Sequence, residues 1–390
     1  MKLLYLSNAL PEELYHKIFA EKKGPSPAAQ KYHILQIEGL VACGAEITAV
    51  SVPPVSRKTY DGWLFRCREK TAPYHIVPII NIPILRNLCM FFYLFFYTLR
   101  HTMGRKQVAV LCDVLNTTNS AAVLLATFFT RKQAVGIVTD VSTKRAFAIK
   151  NPLKRILVRF SFFLLGRYDK YVFLTQAMNE LINRKNRPYL VSEGHADSRQ
   201  ADVENSLSQK YEKKVCMYAG SLRRIYGIAS LTEAFLQANV PNTELHIYGS
   251  GDYEEELCTL CQSEPSIKFF GMQPNSHIVA EEYKASLLVN PRPTNEEYTQ
   301  YSFPSKNMEY MASGTPILTT KLPGMPKEYY PYVYLIDPET TEALTQTLRT
   351  LLTKPSEELF AFGQAAKAFI LQEKNNLRQA EKLLHLLKET

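Results

Sequence analysis

Short apolar runs of the length of buried strands recur along the chain. Residues 2–7, 46–52, 108–115, 133–138 and 168–174 are such runs, and residues 28–41 between the first two read as a helix. Strand, loop, helix and strand in that order open a parallel α/β sheet. Gly44 ends the first helix, and Thr175 starts another. Residues 53–80 look irregular, with Pro53, Pro54 and the single tryptophan Trp63. Residues 198–213 are polar and charged and read as a linker. The alternation then restarts, with strands expected at 215–219, 245–249, 266–270, 285–290, 315–320 and 331–336. A chain of 390 residues, 46% of them hydrophobic, is long enough for two cores, so two α/β domains are expected, over residues 1–197 and 198–374.

Two apolar helices in the first domain break the usual amphipathic rule. Residues 88–99 are almost wholly apolar between Arg86 and Arg100, yet shorter than the roughly 20 residues that span a bilayer. Either the run is buried against the sheet, or it enters a membrane interface with its arginines on lipid phosphates. Residues 152–167 repeat the theme, with Lys154, Arg155 and Arg159 beside Phe160, Phe162 and Phe163. Charge sharpens the picture: residues 1–200 hold 28 basic and 13 acidic residues, net +15, whereas the remainder nets −6. Nucleic acid is not expected as the partner, because no zinc finger, aromatic RNA-binding signature or basic zipper is present. An anionic membrane surface or a phosphate-bearing substrate suits the asymmetry.

The seven scattered cysteines point to a reducing compartment, and Cys258 and Cys261 have no second pair to make a metal site. The start of the chain is not expected to be a secretory leader, since its apolar run soon enters a loop. The loop after the first strand, with Gly24-Pro-Ser-Pro27, falls where open α/β sheets place ligands. It lacks the Gly-x-Gly-x-x-Gly of a nicotinamide or flavin dinucleotide site.

The most strongly punctuated stretch is residues 301–317. Pro304 suits a first helical position, Gly314 a left-handed stop, and Pro316 prevents continuation. Met308, Met311 and Ala312 share a face, with Glu309 set between apolar positions. Glu309 is either a capping or salt-bridge residue or part of a ligand site. In the second case the amides of the helix start, Ser305 and Lys306 would meet an anion while Glu309 accepts hydroxyl hydrogen bonds. Diphosphate plus ribose fits that combination.

The segment Phe303-Pro-Ser-Lys-Asn-Met-Glu-Tyr-Met-Ala-Ser-Gly-Thr-Pro-Ile317 resembles the nucleotide-sugar signature of glycosyltransferase family 4, retaining enzymes of the GT-B fold that include bacterial capsular and exopolysaccharide transferases. The resemblance implies two facing Rossmann-like parallel-sheet domains with a donor cleft between them. It also implies a terminal helix, residues 375–390, that returns to brace the first domain. Glu309 would hold the donor ribose; Tyr301 stands where the usual pattern has a second glutamate near the transferred sugar. Gly220-Ser-Leu-Arg-Arg-Ile-Tyr-Gly227 resembles the family's phosphate turn, with Ser221 and Tyr226 in place of an arginine and a lysine. Arg223 or Arg224 would then supply the charge. Gly249 falls in the next glycine turn, and Arg292, Glu296 and Glu297 lead into the signature helix. In the first domain Thr139-Asp140 matches a common His-Asp pair facing the donor sugar, while Asp140 serves equally well as a helix cap. His195 reads as structural.

With no Asp-x-Asp and no histidine cluster, neither a metal nor a bound cofactor is expected, the nucleotide sugar being the substrate. The catalytic assignment is therefore Lys306, Arg223 or Arg224, Thr139 and Asp140. The donor contacts are Glu309, Gly220, Ser221, Gly249, Pro304, Ser305 and Tyr301. The expected activity is transfer of a hexose, from UDP by family frequency, to a lipid-linked or growing polysaccharide. The place is the cytoplasm, at the inner face of the cell membrane. A nucleotide-sugar epimerase of the same fold and a non-catalytic binding subunit are the alternatives.

Overall fold

A computed structural model describes residues 1–19, 27–67, 71–83, 85–141 and 151–389. The Gly24-Pro-Ser stretch and the turn beyond Val141 lie outside the described residues. The chain forms two compact units, residues 1–195 with 376–390, and residues 196–375.

The first unit runs β1 (Lys2–Ser7), α1 (Glu12–Phe19), α2 (Pro27–Ala42), β2 (Glu46–Ser51), β3 (Leu64–Phe65), β4 (Tyr74–Ile76), β5 (Ile79–Ile80) and α3 (Leu85–Thr102). It continues with β6 (Val108–Asp113), α4 (Thr117–Thr130), β7 (Gln133–Val138), α5 (Pro152–Leu165), β8 (Lys170–Phe173), α6 (Gln176–Ile182) and β9 (Tyr189–Val191). Seven strands pair in parallel in the order β4-β2-β1-β6-β7-β8-β9. The strand order reverses between β1 and β6, which is where such sheets open a ligand crevice. The stretch 53–80, irregular by sequence, in fact contributes edge strand β4 and the antiparallel pair β3-β5.

The second unit runs β10 (Lys214–Ser221), α7 (Ile228–Ala238), β11 (Thr243–Ser250), α8 (Glu254–Ser263), β12 (Ile267–Phe269), α9 (Asn275–Lys284), β13 (Leu287–Asn290) and α10 (Ser305–Ser313). Then follow β14 (Ile317–Thr320), β15 (Tyr334–Ile336), α11 (Thr341–Thr353) and α12 (Ser356–Glu373). Its six strands, also parallel, take the order β12-β11-β10-β13-β14-β15, with the reversal between β10 and β13. One core face is built on Leu231, Phe235, Leu348 and Leu352, and the other on Met308, Met311, Tyr329 and Ile370.

The last helix, α13 (Asn376–Lys388), belongs to the first unit. Ala380, Leu383 and Leu387 join Ile37 and Leu40 of α2 in one core. Gly39 permits the approach, because a Cβ there would lie 2.3 Å from the carbonyl oxygen of Asn376. Lys170, buried at the other end, donates to the carbonyl of Leu386 at 2.6 Å, placing a cation at the helix's negative end.

Helix α3 is buried along one face only. Met90, Leu94, Thr98 and Thr102 form one buried stripe at four-residue spacing, while Leu88, Phe92 and Phe96 stay exposed. Only one face is core.

Candidate functional site

The signature helix α10 is held by three polar clamps at the carboxyl ends of the second sheet. The buried Tyr310 hydroxyl accepts from the amide of Ala219 at 2.9 Å and donates to its carbonyl at 3.2 Å, one residue before Gly220. Burial pushes that hydroxyl well above the usual tyrosine range, so it remains a donor. Asn307 accepts from Asn290 at the end of β13 (2.6 Å) and donates to Thr319 on β14 (3.4 Å). Gly314 ends the helix in the left-handed region, φ 77°. At the other end Pro304 is the cap residue rather than the first helical one. Among the described residues no side-chain cap hydrogen bond closes the start, where Ser305 and Lys306 stand in the first turn.

Lys306 and Glu309 meet on this helix at 3.3 Å, and a second carboxylate, Glu282 of α9, lies 3.7 Å from the same ammonium. Glu282 is wholly buried and Glu309 nearly so. The Lys306–Glu309 pair is an i,i+3 contact that the sequence spacing allows; Glu282 was out of reach of sequence, since only the tertiary packing of α9 on α10 brings it in.

Two glycine turns lie at the carboxyl ends of strands of the same sheet. Gly249 (φ 133°) presses on the turn after β10, since a Cβ there would lie 1.8 Å from the carbonyl oxygen of Gly220. Gly227 (φ 79°) caps α7, and its Cβ would lie 2.2 Å from the carbonyl oxygen of Pro291 after β13. Backbones thus close on one another, between β10 and β11 at Gly249 and across the reversal of strand order at Gly227, which any side chain would prevent. Tyr218 donates to the Ser221 carbonyl at 2.8 Å and shapes the first turn, leaving Ser221 itself exposed.

The arginines separate. The amide of Arg224 donates to Asp252 at 2.8 Å, and its guanidinium pairs with Glu256 of α8. Arg223 instead stands over the Tyr226 ring at 5.7 Å, where Arg292 also stacks, at 4.9 Å. Arg292 also stands over the Tyr298 ring at 4.8 Å, and its Nε has no hydrogen-bond partner among the described residues. Tyr226, which fills the place of a lysine in the resembled pattern, therefore gathers two guanidinium groups. Tyr301 ends a 3-10 turn, Glu297–Tyr301, just before α10.

The remaining candidates belong to the first unit. Thr139 and Asp140 follow β7; the Thr139 hydroxyl is buried without a partner among the described residues, and Asp140 accepts from the amide of Val141 at 2.7 Å. His195 is buried against Tyr32, ring centroids 4.4 Å apart, and neither nitrogen finds a partner among the described residues. Burial, with His33 adding to it, holds its pKa down at about 3, so the ring is neutral. Among the described residues no cluster of His, Cys, Asp or Glu could hold a metal ion, and all seven cysteines are free thiols.

Helices α3, α4 and α5 present a continuous apolar surface. Phe92 and Phe96 of α3, Phe128 (75% exposed) and Phe129 of α4, and Ile156 and Phe163 of α5 all face outward, with Phe95 against Phe129 at 6.2 Å. No acidic residue occurs on any of the three helices, whereas Arg86, Arg100, Lys154, Arg155 and Arg159 do. Among the described residues no helix is long and apolar enough to cross a membrane.

Two parallel sheets, each wound on both faces, with a terminal helix returning to the first unit, define the GT-B fold of glycosyltransferases. The crystal structure of HepE from Anabaena in complex with UDP matches at TM-score 0.69, 14% identity, covering 99% of each chain. Sucrose-phosphate synthase from Thermosynechococcus elongatus matches at 0.68 and 14%, again over 99% of each chain. WaaG, a glycosyltransferase involved in lipopolysaccharide biosynthesis, matches at 0.61 and 15% over 100% of each chain. At these identities the likeness is one of fold. No curated protein matches the chain. Residues 200–369 match the family model "Glycosyl transferases group 1", so it is the second unit, with the α10 site, that carries the family's pattern.

Proposed function

We propose that the protein is a retaining glycosyltransferase that moves a hexose from a UDP-linked donor to a lipid-linked or growing polysaccharide. It works without a metal ion, at the cytoplasmic face of a membrane. The observation that carries this reading is the α10 start, where a first turn without a side-chain cap hydrogen bond among the described residues carries the Lys306–Glu309 pair, in the same unit as two glycine turns and the Arg223–Tyr226–Arg292 stack. Glu309 accepts the ribose hydroxyls. Lys306, shared between Glu309 and Glu282, fixes the glutamate and turns its remaining N–H toward the diphosphate. Arg223, Arg292 and the helix-start amides stabilise the charge that grows on the leaving group, and such preorganised groups act most strongly in the transition state.

In the reaction the bond from the anomeric carbon to the diphosphate oxygen breaks, and its electron pair leaves with the diphosphate. The acceptor hydroxyl bonds to the carbon on the same face, and its proton passes to the departing oxygen. HepE has been crystallised with UDP and with UDP-glucose, which supports the choice of donor. The apolar, acid-free surface of α3, α4 and α5 supports an anionic membrane as the place of work.

The test is transfer of labelled hexose from a panel of nucleotide sugars into the lipid fraction of a membrane extract, with EDTA present. UDP-hexose turnover supports the reading. Donor binding without turnover would instead mark a non-catalytic subunit, the reading favoured by Tyr301, Thr139, Ser221 and Tyr226 departing from the family pattern.

A further inference from the structure

We infer that Trp63 is an interfacial anchor, the tip of a clamped turn that seats the amino end of α3 in an anionic bilayer. It is the single tryptophan of the chain and is 69% exposed. A large aromatic ring left in water calls for an explanation when the backbone that carries it is held firmly. Asn81, itself 3% exposed, is the clamp. Its side-chain amide donates to the carbonyls of Tyr60 at 2.9 Å and Gly62 at 3.1 Å, and its backbone amide donates to the carbonyl of Trp63 at 2.8 Å. The antiparallel pair β3-β5 follows directly, with Leu64 opposite Ile80, and Phe65 buried edge-on against the Tyr60 ring. A buried side chain thus directs its donors to fixing a turn whose tip is an exposed indole.

What adjoins the turn selects the partner. Trp63 stands opposite Asn81, and the next residue, Ile82, begins a row of exposed apolar side chains that continues along α3 as Leu85, Leu88, Phe92 and Phe96. Steps of three and four keep the helical members on one face. Arg86 ties helix and turn together, donating to the carbonyl of Val55 at 3.0 Å. Leu64, beside the indole, is exposed as well. Arg57, Lys58 and Arg66 are exposed around it, with Asp61 the one acid between residues 53 and 67, and α3 carries none. An indole has an apolar body and one N–H donor, so amid cations it suits the headgroup level of an anionic bilayer. The inference rests on the membrane reading proposed above and extends it: the helices supply area, and Trp63 fixes how the first unit is seated, with α3 lying along the bilayer.

Because the chain has one tryptophan, its fluorescence reports on this turn alone. The test is the emission of the full chain mixed with phosphatidylglycerol–phosphatidylcholine vesicles, with flotation of the same samples. A shift to the blue is expected, with quenching of about twofold when the phosphatidylcholine carries bromine near the glycerol end of its acyl chains. Trp63→Ser, exposed and so compatible with folding, should bind the vesicles roughly fivefold more weakly at an unchanged urea midpoint, and Trp63→Tyr should keep most of the affinity. Flotation with unshifted, unquenched emission would overturn the inference and leave the membrane reading standing, as would Trp63→Ser binding vesicles as tightly as wild type. No flotation at all would refute the membrane reading and this inference with it. A blue shift that grows with protein concentration in the absence of lipid would assign the turn to a second copy of the chain instead.

Discussion

Arg292 stands over the rings of Tyr226 and Tyr298, whereas the Arg224 guanidinium pairs with Glu256. A stacked guanidinium keeps its fork of donors free for phosphate oxygens, and a paired surface one does not. Arg292→Ala is accordingly expected to weaken UDP binding roughly tenfold, and Arg224→Ala less than about twofold, because exposed ion pairs contribute little. Equal effects, measured by calorimetry, would return Arg224 to the site. Sequence could offer both Arg223 and Arg224 but not choose, since the choice depends on which ring and which carboxylate the turn brings near. His195 makes a different test. Its pKa, held at about 3 by burial and by His33, lies below the ordinary histidine value of about 6.5. The unfolded chain therefore takes up the proton first, and stability is lost as pH falls from about 6.5 toward 3, while it is insensitive to this group above. His33 acts on the ring, and Asp113 and Glu193 on its neighbour Tyr32, which complicates the absolute curve, so the comparison is with His195→Phe, which keeps a ring against Tyr32. Urea midpoints between pH 7.5 and 4.5 should show an acid slope shallower by close to one proton in the variant. An unchanged slope would contradict the buried neutral assignment.

Among the elements, α10 is legible because its punctuation is covalent and local: Pro304 and Pro316 restrict the backbone and Gly314 supplies the left-handed stop. Helix α4 is the opposite case. Residues 117–130 contain no charge to mark a polar face, and its outward side carries Leu125, Phe128 and Phe129, so periodicity gives no signal. Edge strand β4 spans three residues, below what alternation reveals. The glycine turns were visible as glycines, but their reason was not. Gly227 and Gly249 are set by backbones closing across β10, β11 and β13, a tertiary fact. Gly227→Ala must place a methyl 2.2 Å from the Pro291 oxygen at φ 79°, and is expected to destabilise by about 2–4 kcal/mol. A chemical-denaturation midpoint equal to wild type would show that the loops give way more easily than the close contact implies.

For the molecule as a whole, the charge split between the two halves of the sequence and the two apolar-basic helices suit either an anionic membrane surface or a phosphate-bearing substrate. The structure adds α4 to them and merges all three helices into one surface. The full chain is expected to float with vesicles containing 30 mol% phosphatidylglycerol and not with pure phosphatidylcholine. Phe96→Ser/Phe128→Ser should reduce that flotation several-fold, and flotation equal to wild type would leave the surface without a role in membranes. The GT-B fold was readable from strand lengths and one signature segment; a first-unit cavity lined by residues between Asn8 and Phe160 was not, because it is assembled from six separate stretches of chain. The central claim, however, concerns α10. It is tested most directly by calorimetric titration of UDP, GDP and CDP into wild type and Glu309→Ala. The account predicts that wild type binds UDP and that the variant, equally folded, binds it roughly ten- to hundredfold more weakly, the loss of a charge-assisted pair of hydrogen bonds. Equal UDP affinity in the two proteins would make Glu309 a structural partner of Lys306 and contradict the donor site.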